Sequence, residues 1–304
     1  MAISSAQLVK EREPGLNALF GLEYKRYENQ HTEIYTVESS DRAFEEEVML
    51  SGFANAQTKA EGQGVSFDAA QETYTARYTH DPIALAFAIT EDAIEDNLYD
   101  RIASRYTKAL ARSMSNAKQV KAAAPLNNGL SSVATFKAGD TVSLFSTNHT
   151  TVSGTAVKNT LTTQADLNET SLEQGLIDIA GMTDERGLRV AARGMKMIIP
   201  SAIQFTAERL LKSVGRTGTA DNDISVVVSM NVIPQGDVVN HYSTHTDAWF
   251  IKTDVPNGLK QFVRAPIKTA MEGDFENGNV RYKARERYSF CWSEWRCVFE
   301  SPGA

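Results

Sequence analysis

The sequence predicts an α+β fold. Strand-like and helix-like segments are mixed without strict alternation, one helical pattern runs from Thr90 to Ala124, and the chain from Ala248 onward is rich in strand signals. A doubly wound parallel sheet would need strands and helices to take turns, and here they do not. At 304 residues, 42% of them hydrophobic, the chain can bury a substantial core as one large domain or two ordinary ones.

Residues 1–44 form a polar lead-in with scattered aromatics (Phe20, Tyr24, Tyr27, Tyr35) and no sustained periodicity, so this segment is expected to gain order by lying on another surface. Residues 45–80 place a Gly-rich polar centre (Gly52, Gly62, Gly64) between two strand-like limbs. On the return limb Tyr74, Ala76, Tyr78 and His80 alternate with Thr73, Thr75, Arg77 and Thr79, the period of a strand with two unlike faces. A long hairpin with a projecting tip follows, and such a ribbon needs a supporting surface. Pro82 interrupts the pattern before Ile83, Leu85, Phe87 and Ile89 alternate with alanines.

Thr90 is a plausible N-cap, and Glu91, Asp92, Glu95 and Asp96 suit the positive end of a helix. The helical pattern continues to Ala124 and is expected to stop before Pro125, a span of about 50 Å. Its apolar row (Ile94, Leu98, Ile102, Tyr106, Leu110, Met114) steps by four, which drifts about 40° per step, so the row winds around the helix and needs several partners. Arg101, Arg105, Lys108 and Arg112 form a basic stripe on another face, either solvated or in contact with a neighbour or nucleic acid. Residues 125–168 read as loops and short strands. A helix follows at Ser171–Met182 with Leu172, Leu176, Ile177, Ile179 and Ala180 on its apolar side, then a buried strand at Met195–Ile199, a helix at Ala202–Val214 and a buried strand at 224–234. The turn signals PNG and ENGN divide the C-terminal strands into an antiparallel meander.

A net charge of −7 argues against a general nucleic-acid-binding surface. No apolar run is long enough for a membrane span, and the N-terminus has charge and Pro where a signal peptide needs apolar residues, so the chain is expected to be made in the cytosol. Cys291 and Cys297 would lie roughly 20 Å apart on one strand, too far for a disulfide, and are read as two free thiols. G-x-S-x-G, Walker, G-x-G-x-x-G and H-E-x-x-H motifs are absent. His241, His245 and Asp247 have helical metal spacing in what reads as a loop, and Asp184, Glu185 and Arg186 read as a turn with local ion pairing. Neither catalytic residue, metal nor cofactor is expected.

In order, these pieces resemble the major capsid proteins of tailed bacteriophages with the Hong Kong 97 phage fold, and most closely the Mu-type major head subunit group. The resemblance is carried by LSGFANAQTKAEGQGVSFDAAQETYTARYTHDPIALAFAITEDAIEDNLYDRIASRYTKALARSM, by LFSTNH, by MTDERGLRVAARGMKMIIPSAIQFTAERLLKSV, and by DVPNGLKQF through MEGDFENGNVRYKARERYSF. It covers nearly the whole chain. It implies an N-terminal arm (1–44), an extended loop (45–82), a peripheral domain in two parts (83–184 and 241–304) with a spine helix at 91–124, and an axial domain (185–240). It also implies self-assembly into hexamers and pentamers of an icosahedral shell around double-stranded DNA, in a virion assembled in the bacterial cytoplasm, with scaffold, portal and decoration proteins as further partners. Lys59, Glu61, Gln63, Tyr74, Arg77 and Tyr78 are then the candidate contacts to neighbouring subunits. Some members crosslink a Lys of the extended loop to an Asn of a neighbour. Lys59 and Asn277 or Asn279 are the residues available, without a visible carboxylate and apolar setting. Because the chain reaches its arm almost immediately, a separate scaffold protein or no scaffold segment is expected. The alternatives are a cellular nanocompartment shell, a soluble hydrolase using His241 or His245, and a DNA-binding protein using the basic stripe.

Overall fold

The computed structural model describes residues 5–27, 29–95, 99–131, 139–215, 224–274 and 278–304; side chains at 5–13, 94–95 and 99–102 lie outside the description. The first half contains α1 (Ser5–Arg26), α2 (His31–Ile34), β1 (Thr36–Ser39), β2 (Phe44–Leu50), β3 (Glu72–Thr79), β4 (Asp81–Ile89), α3 (Glu91–Glu95) and α4 (Tyr99–Asn127). After the short pair β5 (His149–Thr150) and β6 (Ala156–Val157) come α5 (Glu169–Gly181), β7 (Gly194–Ile199), α6 (Gln204–Lys212), α7 (Val226–Ser229) and β8 (Asp237–Val239). The chain closes with β9 (Trp249–Thr253), β10 (Leu259–Gly273), β11 (Val280–Trp292) and β12 (Val298–Ser301).

Two four-stranded sheets organise these elements, in the orders β1-β10-β11-β4 and β12-β9-β7-β8. The expected C-terminal meander is therefore divided: β10 and β11 pair in the first sheet, while β9 and β12 pair in the second. The turn at 293–297 redirects the chain between them, and Gly258 leaves it room: a Cβ there would lie 2.2 Å from the Cys297 Cβ. Pro82 lies inside β4. It is tolerated because β4 is an edge strand, where a missing N–H costs no ladder bond.

On β11 Val280, Tyr282, Ala284, Glu286 and Tyr288 are buried while Arg281, Lys283 and Arg285 are exposed. The buried row faces α1 and α4. The buried α4 side chains recur at steps of three and four: Ala103, Leu110, Ala111 and Met114 cluster with Tyr282 and Ala284 of that row, and further along Ala122 and Leu126 join a second core cluster. The alanines among them let the helix lie close to the sheet. The four-spaced row does wind off this face, since Tyr106 is 52% exposed while Leu110 and Met114 are buried; Ile94, Leu98 and Ile102 lie outside the described side chains.

Four expectations are corrected. Residues 1–44 contain a 22-residue helix, α1, which keeps Pro14 in its interior. Its own pattern is weak, and its order comes from burying Leu16 and Phe20 against α4 and Tyr282, worth about 1.5–3 kcal/mol for each large side chain. The long helix does not stop before Pro125 but holds it in its last turn and ends at Asn127. Tyr35 Oη donates to the Ala122 carbonyl at 2.7 Å, a tertiary bond that ties this end of the helix to the chain after α2. Residues 224–234 are not a strand: Val226–Ser229 form one helical turn, and Asn231 (φ 48°) and Gly236 (φ 67°) reverse the chain around Pro234. The strand beside β7 is β8 instead, beginning only after that reversal. On α5, Leu172 and Ile179 are buried but Ile177 is 64% exposed, so its apolar side is narrower than read.

Candidate assembly surfaces

Strands β2 and β3 pair antiparallel from Phe44↔Thr79 to Leu50↔Glu72, which confirms the hairpin. Its root is bolted to the first sheet. Tyr78 is 1% exposed, packs edge-on to Phe262 with ring centroids 4.8 Å apart, and bonds the Ser293 hydroxyl. Ser293 Oγ donates to Glu47, so Tyr78 is the donor to Ser293. Glu47 also accepts from Lys260 Nζ at 2.5 Å, and Lys260 reaches Glu38 at 3.2 Å. Burial disfavours the Lys260 cation, but these two carboxylates outweigh it and hold the ammonium above its usual range. Gly139 lies so close that a Cβ there would stand 2.5 Å from the Thr75 carbonyl.

The candidate contact residues therefore divide. Tyr78 and half-buried Tyr74, whose hydroxyl donates to the Ser293 carbonyl at 3.4 Å, spend their surface within the chain as root anchors. Lys59, Glu61 and Gln63 are exposed at the tip. Arg77 is exposed on the outer face, its guanidinium 3.9 Å from the Phe44 ring centroid and 3.7 Å from Glu46. Beyond Phe44, which lies under Arg77, the hairpin also exposes Val48, Leu50, Phe53, Val65 and Phe67, an apolar surface open to solvent.

A second surface is the outer side of α4. Arg105, Lys108 and Arg112 are exposed there, with no ion pair among the described residues; Arg101 has no described side chain. The helix itself is held by a buried polar cluster. Lys118 Nζ lies 2.5 Å from Glu286 and donates to Tyr24 Oη at 2.6 Å, and Tyr24 Oη donates to Glu286 at 3.2 Å. This cluster joins α1, α4 and β11. Burial pushes the Glu286 carboxyl up, and Lys118 pulls it partly back. The sheet face opposite the helices carries a second basic group that sequence reasoning did not weigh: Lys283 and Arg285 on β11, with Lys268 directly opposite Arg285 on β10. Its signal was the strict alternation of VRYKARER.

The turn at 184–188 is local only in part. Asp184 accepts from the backbone N–H of Arg186 and Leu188 at 2.9 and 2.7 Å. Glu185, however, is buried and paired at 2.9 Å with Arg296, which also holds Glu294 at 2.9 Å. Sequence spacing could not reveal a partner this distant. His241 Nδ1 meets Gln30 at 2.6 Å and His245 Nε2 meets the Asn127 carbonyl at 2.9 Å, so both fasten a loop. Among the described residues no three His, Cys, Asp or Glu side chains converge on a metal position. Cys291 and Cys297 are free thiols, as expected. Asn279 lies in the β10–β11 turn, its carbonyl accepting from Asp274 N at 2.8 Å, while Asn277 is outside the described residues. No described helix is long and apolar enough to cross a membrane.

A two-sheet body that sends out a rooted hairpin with an uncovered apolar surface defines a structural, contact-making protein. The chain belongs to a phage capsid protein family, whose model matches residues 73–301. It is thus a capsid protein that assembles into a shell, not an enzyme. A search of the curated proteins finds no match. Among solved structures, a virus-like particle from Pyrococcus furiosus is similar with a TM-score of 0.54 at 11% identity, covering 94% of this chain and 97% of that one. The procapsid of bacteriophage JBD30 gives 0.54 at 15% identity, covering 98% and 76%. The capsid of Mycobacterium phage Adephagia gives 0.51 at 13%, covering 91% of both. At these identities the likeness is one of fold, and that fold is the Hong Kong 97 phage capsid fold.

Proposed function

We propose that this capsid protein is the major head subunit of a tailed phage or prophage, of the Mu-type group, forming hexamers and pentamers of an icosahedral shell around double-stranded DNA. In this reading 1–44 is the arm, 45–82 the extended loop, 91–124 the spine helix, 185–240 the axial domain, and 83–184 with 241–304 the peripheral domain. Assembly takes place in the host bacterial cytoplasm with scaffold and portal proteins, and decoration proteins cover the finished shell. The observation that carries the reading is the hairpin: rooted rigidly, yet exposing Phe53, Val65 and Phe67 beside Lys59, Glu61 and Gln63. An exposed apolar ribbon of this kind is a liability unless a neighbour covers it. The basic stripe of Arg101, Arg105, Lys108 and Arg112 is assigned to a neighbour or to the packaged genome.

Negative-stain microscopy and light scattering of the purified chain test this directly. Closed shells or capsomer rings are expected, and a persistent monomer under all assembly conditions sinks the reading. Reversing the four basic residues of the stripe to Glu is expected to leave the fold intact and to lower assembly or DNA retention. Shells that contain cargo protein and never nucleic acid would instead indicate a nanocompartment.

A further inference from the structure

Ser51 N donates to the Gln71 carbonyl at 2.9 Å and Gln71 N to Ser51 Oγ at 3.1 Å; beyond that pair the distal hairpin, residues 52–70, has no strand ladder, and Phe67 at its return limb is 98% exposed. A loop of this length keeps its backbone entropy unless something ties it down. Two contacts do so. The Asp68 carboxylate accepts from Ala54 N at 2.7 Å, which stitches the two limbs together, and from Ala69 N on its own limb at 2.9 Å. Arg186 then fastens the stitched loop to the body, its Nη2 donating to the Ala69 carbonyl at 2.6 Å and lying 3.7 Å from Asp68. Among the described residues no other hydrogen bond or ion pair joins 52–70 to anything outside the hairpin.

Arg186 itself stands on a rigid base. Asp184 caps the turn from below, Gly187 closes it at φ 85°, and the adjoining Glu185 is locked to Arg296 inside the protein. We propose that Arg186 is the positioning residue of the hairpin: it parks the distal loop on the subunit's own body so that Phe67 and its neighbours are presented to a second copy of the chain. This rests on the reading of the hairpin as a subunit contact. A second copy is the occupant because the chain builds a shell from its own copies and the loop combines bare apolar side chains with charges of both signs, Lys59 and Glu61. Burying one such Phe is worth roughly ten- to a hundredfold in association, provided the loop is already in place.

Lys59 is the sole Lys or Arg between residues 51 and 71, so tryptic nicking after it reports loop opening in the unassembled subunit. Arg186→Ala is expected to raise that rate about fivefold, the worth of one net hydrogen bond, and to slow shell growth by light scattering, with unfolding unchanged. Arg186→Lys is expected to recover part of the protection, and Asp68→Asn to open the loop without touching the turn at Arg186. Phe67→Ala is expected to slow assembly while nicking stays at the wild-type rate. Wild-type nicking in both Arg186→Ala and Asp68→Asn overturns the clasp, whatever assembly does. Wild-type assembly of Phe67→Ala overturns instead the reading of the hairpin as a subunit contact, and with it the role assigned to Arg186.

Discussion

Replacing Arg296 with Met removes the cation from a sealed charge cluster while nearly conserving volume. Arg296 is 1% exposed; it bonds Glu185 and Glu294 at 2.9 Å each, donates from Nε to the Thr183 carbonyl at 2.8 Å, and lies 4.1 Å over the Trp295 ring. The variant leaves two buried carboxylates side by side and one carbonyl without its donor. Breaking a buried pair costs about 3–5 kcal/mol, and the orphaned carbonyl adds about 1–3. Proton uptake returns part of this, since burial already pushes the Glu294 carboxyl up despite Arg296. A net loss of about 4 kcal/mol is a large share of the 5–15 kcal/mol typical of a domain, and corresponds to roughly 10 °C in Tm. Urea unfolding followed by tryptophan fluorescence should show a lower midpoint at constant slope. The triple variant Arg296→Met, Glu185→Gln, Glu294→Gln removes the unpaired charges but not the orphaned Thr183 carbonyl, and should recover to within about 1–3 kcal/mol of the parent. A single variant that loses less than about 1 kcal/mol, or a triple no better than the single, refutes the reasoning.

Two further variants have pH signatures. Glu300 is 2% exposed, one carboxylate oxygen lacks a partner among the described residues, and burial pushes the group up to about 8. Because the folded value is raised, its favourable term is present in acid and is lost as pH rises through that value. The advantage of Glu300→Gln should therefore grow from about pH 5 to pH 8, by at most about 1.4 kcal/mol per unit, then level off; a pH-independent difference in urea titrations contradicts this. Lys118→Met removes the cation that counters burial at Glu286, so the raised Glu286 value should rise further. By the same sign, its penalty should be small in acid and reach about 3 kcal/mol in mild alkali, and equal penalties at both ends would mean that packing, not charge, is lost.

Much of this architecture was legible because the relevant signals are local. The period of two in YTARYTH, the caps and acidic first turn after Thr90, and the apolar run MKMII ahead of Pro200 each specify an element without reference to the rest of the chain. The family likeness was legible for the same reason, as long ordered runs. Where sequence reading failed, a tertiary contact outweighed a weak or ambiguous local preference. Helix α1 packs Phe20 on Tyr282, and the last turn of α4, with Pro125 in it, is tied to Tyr35 through the Ala122 carbonyl. Residues 224–234 misled because a short apolar run has no period that separates strand from helical turn.

The sequence alone determined most element types, the outlying hairpin and the long helix, because propensity, turn chemistry and periodicity act between near neighbours, and its long ordered runs carried the family likeness. Only the tertiary structure decided which side chains do which work. It turned Tyr78 and Tyr74 inward as root anchors, left Phe67 bare, and gave Glu185, Glu286 and Arg186 partners a hundred or more positions away. Burial and charge pairing are set by what the fold brings together, and no local pattern carries that distance.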